Sequence, residues 1–175
     1  MAIIVCPLSR APDIARDRKP SHVVSLLDPG SAFPTLNGYD DGRHLRLPIH
    51  DIEAEAEGHD AVNANTMRAI LDFVTQWERD DPILIHCYAG ISRSTATAFI
   101  TACAHNSHAD EEEIAFTLRA ASSTASPNRR FIALADAELG RGGRMSRAID
   151  AIGRGPHWSE VGEAAPFSLP ARFGG

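Results

Sequence analysis

Pro82-Ile83-Leu84-Ile85 is an apolar run too short for a buried helix, and Ile91 to Ala104 follows it at helical spacing. Between them lies a glycine-containing loop. A strand feeding a helix through a tight loop is the unit from which parallel sheets are built, and the same alternation holds upstream. Ala2–Cys6 is a short apolar run stopped by Pro7, and Ala11–Lys19 carries Pro12 in the first turn of a short helix. His22–Leu27 (HVVSLL) is a second β-branched run, stopped by Asp28-Pro29-Gly30. Residues 28–42, rich in Pro, Gly, Asp and Asn, read as loop. His44–Ile49 (HLRLPI) alternates, with Pro48 marking an edge or a strand end.

Further along, Val62, Met67, Ile70, Leu71, Val74 and Trp77 recur at three- and four-residue spacing and predict a long amphipathic helix from Asp60 to Glu78. Helices are expected at 110–121, after the acidic start DEEE, at 129–139 and at 145–152. The expectation is one α/β domain over residues 1–152, a central, mostly parallel sheet of about four to five strands flanked by helices. Residues 153–175, rich in Gly and Pro, are expected as a C-terminal tail that wraps the surface or hangs loose.

Composition narrows the function classes. The 175 residues are long enough for one buried core, and 43% apolar with 23% charged content is ordinary for a globular chain. A net charge of −6 argues against broad binding to nucleic acid or to an anionic membrane. Lys19 is the only lysine, so the positive charge is almost all arginine, whose planar fork suits phosphate and carboxylate. Cys6, Cys87 and Cys103 are odd in number and lack C-x2-C spacing, which disfavours a disulfide framework or a zinc site. The start, MAIIVCPLSRAPD, has no basic region ahead of its apolar run, and no stretch approaches the roughly 20 apolar residues of a membrane span. A cytoplasmic location and no membrane partner are expected.

The loop itself carries the chemistry. Residues 85–95 read IHCYAGISRST, with a cysteine where the strand ends and an arginine six residues later. Loop amides and the N-terminus of the following helix make a concave anion site, and the same field favours a thiolate at its centre. Gly90 lets the backbone turn its amides inward, Arg93 is placed to grip two phosphate oxygens, and Ser94 to donate a hydrogen bond to the Cys87 sulfur. The reaction such a site supports is in-line attack of sulfur on phosphorus. With 17 Lys+Arg and three cysteines, the bare spacing would arise by chance about one time in four. The strand before, glycine within, hydroxyl after and helix beyond are what give it meaning.

His86-Cys87-Tyr88-Ala89-Gly90-Ile91-Ser92-Arg93-Ser94 resembles the H-C-x5-R-[ST] signature of cysteine-dependent protein tyrosine phosphatases, and its A-G-x-S-R-S form is most similar to the dual-specificity branch. Ser126-Pro127-Asn128 followed by Phe131 resembles the S-P-N-x-x-F segment that starts a helix beside the phosphate loop in that branch. The resemblance implies a dual-specificity phosphatase-like fold and hydrolysis of phosphomonoesters through a cysteinyl-phosphate, with no metal or organic cofactor. It implies that residues 87–93 (Cys87, Tyr88, Ala89, Gly90, Ile91, Ser92, Arg93) bind the phosphate, with His86 and Asn128 in support. It also calls for a general acid on a loop after an earlier strand. Asp51, following LRLPIH, is the candidate, with Asp60 in reserve or as a helix cap. Arg129 and Arg130 are placed either to reach a second phosphate or simply as a solvated helix start.

A phosphorylated protein or a small phosphoester is the expected partner. Alternative readings are a phosphatase for phosphoinositide or RNA 5′-phosphate, or a silent phosphate-binding module. The loop positions Tyr88, Ala89, Ile91 and Ser92 carry no lysine for extra phosphates, and Cys87, Arg93 and Ser94 are all intact. A sulfurtransferase would also use a loop thiolate, but has no need of the S-P-N segment.

Overall fold

The computed structural model describes residues 1–174. Its elements in chain order are β1 (Ala2–Pro7), α1 (Ala11–Arg18), β2 (His22–Leu27), β3 (His44–Pro48), α2 (Ala64–Thr75), β4 (Ile83–Cys87), α3 (Arg93–His105), α4 (Glu111–Ala121), α5 (Arg129–Glu138), α6 (Arg144–Ile152), α7 (Trp158–Val161) and β5 (Phe167–Pro170). The five strands form one sheet in the order β3-β2-β4-β1-β5. The first four are parallel, and β5 runs antiparallel to β1.

Parallel register decides where the site lies. Four parallel strands deliver their C-terminal ends to one edge of the sheet, where open α/β sheets bind ligands. Pro7 pairs with Cys87, Ser25 with His86 and Leu27 with Pro48, so Asp28, the residues after Pro48 and Cys87 all emerge together.

The two-residue period of the strands then sorts side chains between the faces. On β4, Ile83, Ile85 and Cys87 join the larger core with Phe99, Met67, Ile70 and Phe131 from the helices. Leu84 faces the opposite side with Ile4, Cys6 and Ala11 beneath α1.

Helix α3 is the central helix of the larger layer, buried from Arg93 to Cys103. Its small residues let neighbouring elements approach, and its threonines need partners to be tolerated there. Thr97 and Thr101 donate to the carbonyls four residues back at 2.9 and 2.7 Å, and Thr95 to that of Ile91 at 2.6 Å.

Two sequence expectations are corrected. Helix α2 is shorter than 60–78, because Asn63 caps it, its side chain accepting from the Thr66 amide at 3.0 Å. Asp60 is therefore no cap; its backbone is tied to His50, whose amide donates to the Asp60 carbonyl at 2.8 Å. The C-terminal residues, expected either to wrap the surface or to hang loose, do not hang loose. Gly153 follows α6, but α7 and β5 come next, and Leu169 of β5 is buried opposite Ile3. Four residues with a terminal proline carry too little alternation to read as a strand.

Candidate active site

Strand β4 ends at Cys87 and α3 begins at Arg93, so residues 88–92 close the loop between them. Gly90 has φ +71°, and a Cβ there would meet the Pro7 nitrogen at 2.9 Å and the Cys6 carbonyl carbon at 3.0 Å. Both backbone conformation and close packing on β1 demand glycine. The loop is pinned from outside by its carbonyls. Tyr88 accepts from Leu8 N (3.1 Å), Ala89 from Ala164 N (2.8 Å), Ile91 from Ser126 N (2.9 Å) and Ser92 from Asn128 N (3.3 Å). With carbonyls held outward, the amides are left for the interior. That of Gly90 donates to Cys87 Sγ at 3.3 Å, and those of Ala89, Ile91 and Ser92 donate to no protein acceptor among the described residues.

Cys87 is 3% exposed and lies 3.1 Å from Ser94 Oγ. Arg93, 5% exposed, gives Nη1 to Asp28 Oδ1 at 2.6 Å and to the Ile49 carbonyl at 2.7 Å. Its buried Nε has no acceptor in the protein. A buried guanidinium with an unused donor invites an anion. Arg93 and Cys87 line a common cavity of about 670 Å³, together with Tyr88, Ala89, Ile91 and Ser92.

Asp51 also lines this cavity. Its Oδ1 accepts from Ser92 Oγ at 2.7 Å and from Asn128 Nδ2 at 2.8 Å. Asn128 is fully buried, and its own Oδ1 accepts from the amides of Arg130 and Phe131, which caps α5. One amide side chain thus starts a helix and fixes the Asp51 loop. Asp60 lies in a different depression, with His59 and Arg130, away from Cys87.

His86 is buried on the α1 side, where Ser25 Oγ bridges its Nε2 (2.5 Å) and that of His44 (2.7 Å). Burial depresses both imidazoles, to about 4, and so keeps them neutral near pH 7. The other thiols lie outside the cavity beside Cys87. Burial pushes Cys6 up to about 12 and Cys103 higher still, and both stay protonated in the core. Arg129 pairs with Asp150, and Arg130 with Glu55 and the Val62 carbonyl; neither lines the cavity beside Cys87.

Several site residues had escaped the sequence. Asp28 reads as part of a turn, Ser25 as an ordinary strand residue, and residues 154–158 as tail, yet Asp28 holds Arg93, Ser25 holds His86 next to Cys87, and residues 154–158 line the cavity. Their signal lies in the strand order, which spacing along the chain does not reveal. Among the described residues no group of His, Cys, Asp and Glu is arranged to hold a metal, and no helix is long and apolar enough to cross a membrane.

A family model described as protein-tyrosine phosphatase matches residues 57–129. No curated protein sequence matches the chain. Among solved structures it is similar to the human tyrosine phosphatase-like serine/threonine/tyrosine-interacting protein, with TM-score 0.60 and 18% identity, covering 79% of this chain and 91% of that one. DUSP15 matches with TM-score 0.57 and 18% identity over 85% and 88%. PTPMT1, solved in complex with PI(5)P, matches with TM-score 0.54 and 14% identity over 82% and 91%. At these identities the likeness is one of fold. The matched segment is similar to the protein-tyrosine phosphatase family, and the fold is that of the cysteine-based protein tyrosine phosphatases. Its form is that of the dual-specificity phosphatases.

Proposed function

We propose that the chain hydrolyses phosphate monoesters through a cysteinyl-phosphate on Cys87, as a protein tyrosine phosphatase of dual-specificity type. The observation that carries this reading is Arg93, held by Asp28 and the Ile49 carbonyl with a buried donor unused, in the same cavity as the Cys87 sulfur. The loop amides and Arg93 bind the phosphoryl oxygens and take up the charge that develops on them. Cys87 Sγ forms the S–P bond as the P–O ester bond breaks. Asp51, whose Oδ1 is occupied by Ser92 and Asn128, delivers a proton from its other oxygen to the departing alkoxide or phenolate. Water then attacks phosphorus, Asp51 takes its proton, and the S–P bond breaks to leave inorganic phosphate. The Ser94 hydroxyl, 3.1 Å from sulfur, stabilises the thiolate as it leaves.

A phosphoinositide substrate, for which the PI(5)P complex of PTPMT1 is the parallel, draws no support from the loop, which offers no lysine for a second phosphate. A silent binding module is disfavoured by the joint presence of Cys87, Arg93 and Asp51 around one cavity. The test is phosphate release from an aryl phosphate and from matched phosphotyrosyl and phosphoseryl peptides, in chelator near pH 6. Metal-independent release that falls at least about a hundredfold in Arg93→Ala supports the reading. Release that needs a metal, or is untouched by Arg93→Ala, overturns it.

A further inference from the structure

The cavity above Cys87 has a wall that lies outside the matched residues 57–129. Arg154, Gly155, Pro156, His157 and Trp158 line it together with loop residues Tyr88, Ala89, Ile91 and Ser92. Single exposed aromatics are ordinary on a protein surface, but here two converge. Of the four large apolar side chains exposed among the described residues, Tyr88 (69% exposed) and Trp158 (62%) both line this cavity.

The wall is also anchored on both sides. Arg119 donates to the Gly153 carbonyl at 2.9 Å, and Ala164 N to the Ala89 carbonyl at 2.8 Å. Gly155 packs so closely that a Cβ would meet the Thr124 carbonyl oxygen at 2.7 Å. Arg154 makes a two-pronged pair with Glu53, at 3.1 and 2.7 Å, which fastens the wall to the loop bearing Asp51. The same guanidinium holds the Glu53 carboxyl below its usual range.

This pairing decides what the wall recognises. Arg154 is neutralised by the Glu53 carboxylate at the cavity, so a second anionic group on the substrate meets no spare cation on this wall. Aromatic faces remain. Flat rings offer large contact area to another ring at little entropic cost.

Building on the phosphatase reading, we propose that residues 154–158 form a specificity-determining wall, with Trp158 and Tyr88 gripping the aromatic leaving group of a singly phosphorylated ester. The Glu53–Arg154 pair is then a positioning device, keeping that wall in register with the general acid.

The test is calorimetric binding to Cys87→Ser protein, with inorganic phosphate and phenyl phosphate as probes, so that no turnover is needed. Adding Trp158→Ala should weaken phenyl phosphate about tenfold while inorganic phosphate changes less than about twofold; Trp158→Phe should recover most of the loss. Equal weakening of both probes, or none for phenyl phosphate, would overturn the wall. Failure of Cys87→Ser protein to bind inorganic phosphate would instead overturn the phosphatase reading and the wall with it.

Discussion

At the scale of single residues, the site depends on atoms that have one permissible arrangement. Gly90 is the clearest case, since any side chain there meets the β1 backbone rather than a movable side chain. Gly90→Ala should leave the fold assembled but displace the loop amides. We expect phosphate affinity to fall by about tenfold or more, read by calorimetry, with far-UV circular dichroism unchanged. Asp51 is tested by leaving-group dependence. Asp51→Asn should slow alkyl phosphates by about a hundredfold and aryl phosphates less, because phenolate departs without a proton more readily. Equal, near-normal rates on both would remove Asp51 from the mechanism. The sequence singled out Cys87, Arg93, Ser94 and Asp51, the proposed site residues that the fold brings together, because loop and strand-end positions are local. Asp28, the carboxylate that holds Arg93, was not singled out: it is 65 residues away, and only the adjacency of β2 and β4 brings it near.

At the scale of elements, the chain's periodicities read well where they are long and poorly where caps decide. Strand β2 and helix α1 fell within a residue of expectation, while α2 lost four residues at its start to the Asn63 cap. Strand β5 was missed because two of its four residues are exposed and only Leu169 is buried.

The buried His44–Ser25–His86 chain couples three neighbouring strands and gives stability a pH dependence. An unfolded histidine titrates near 6.5, whereas folded His86 and His44 titrate near 4. Between these values the unfolded chain binds more protons, so stability is full above about pH 6.5 and is lost as pH falls toward 4. For His86 alone the loss is about 2 kcal/mol at pH 5. Urea denaturation at pH 7 and pH 5 measures it, and replacing His86 by Gln should flatten the slope. An unchanged slope would place the titrating groups elsewhere.

At the scale of the molecule, a parallel sheet explains why remote stretches meet. The loops after β2 and β3 supply Asp28 and Asp51, and the end of β4 supplies Cys87, at one sheet edge, and the segment beyond α6 lines the cavity with Asp51 and Cys87. The net charge of −6 argues against a long polyanion track, and the buried Arg93 guanidinium is the local anion site we propose. The central claim is that phosphorus becomes bonded to Cys87. Acid-quenching the protein during incubation with an aryl phosphate, then mapping peptides by mass spectrometry, tests it most directly. One phosphoryl group is expected on the peptide containing Cys87, and none in Cys87→Ser. A quenched enzyme that turns over substrate yet carries no phosphoryl group, or carries it on another residue, would contradict it.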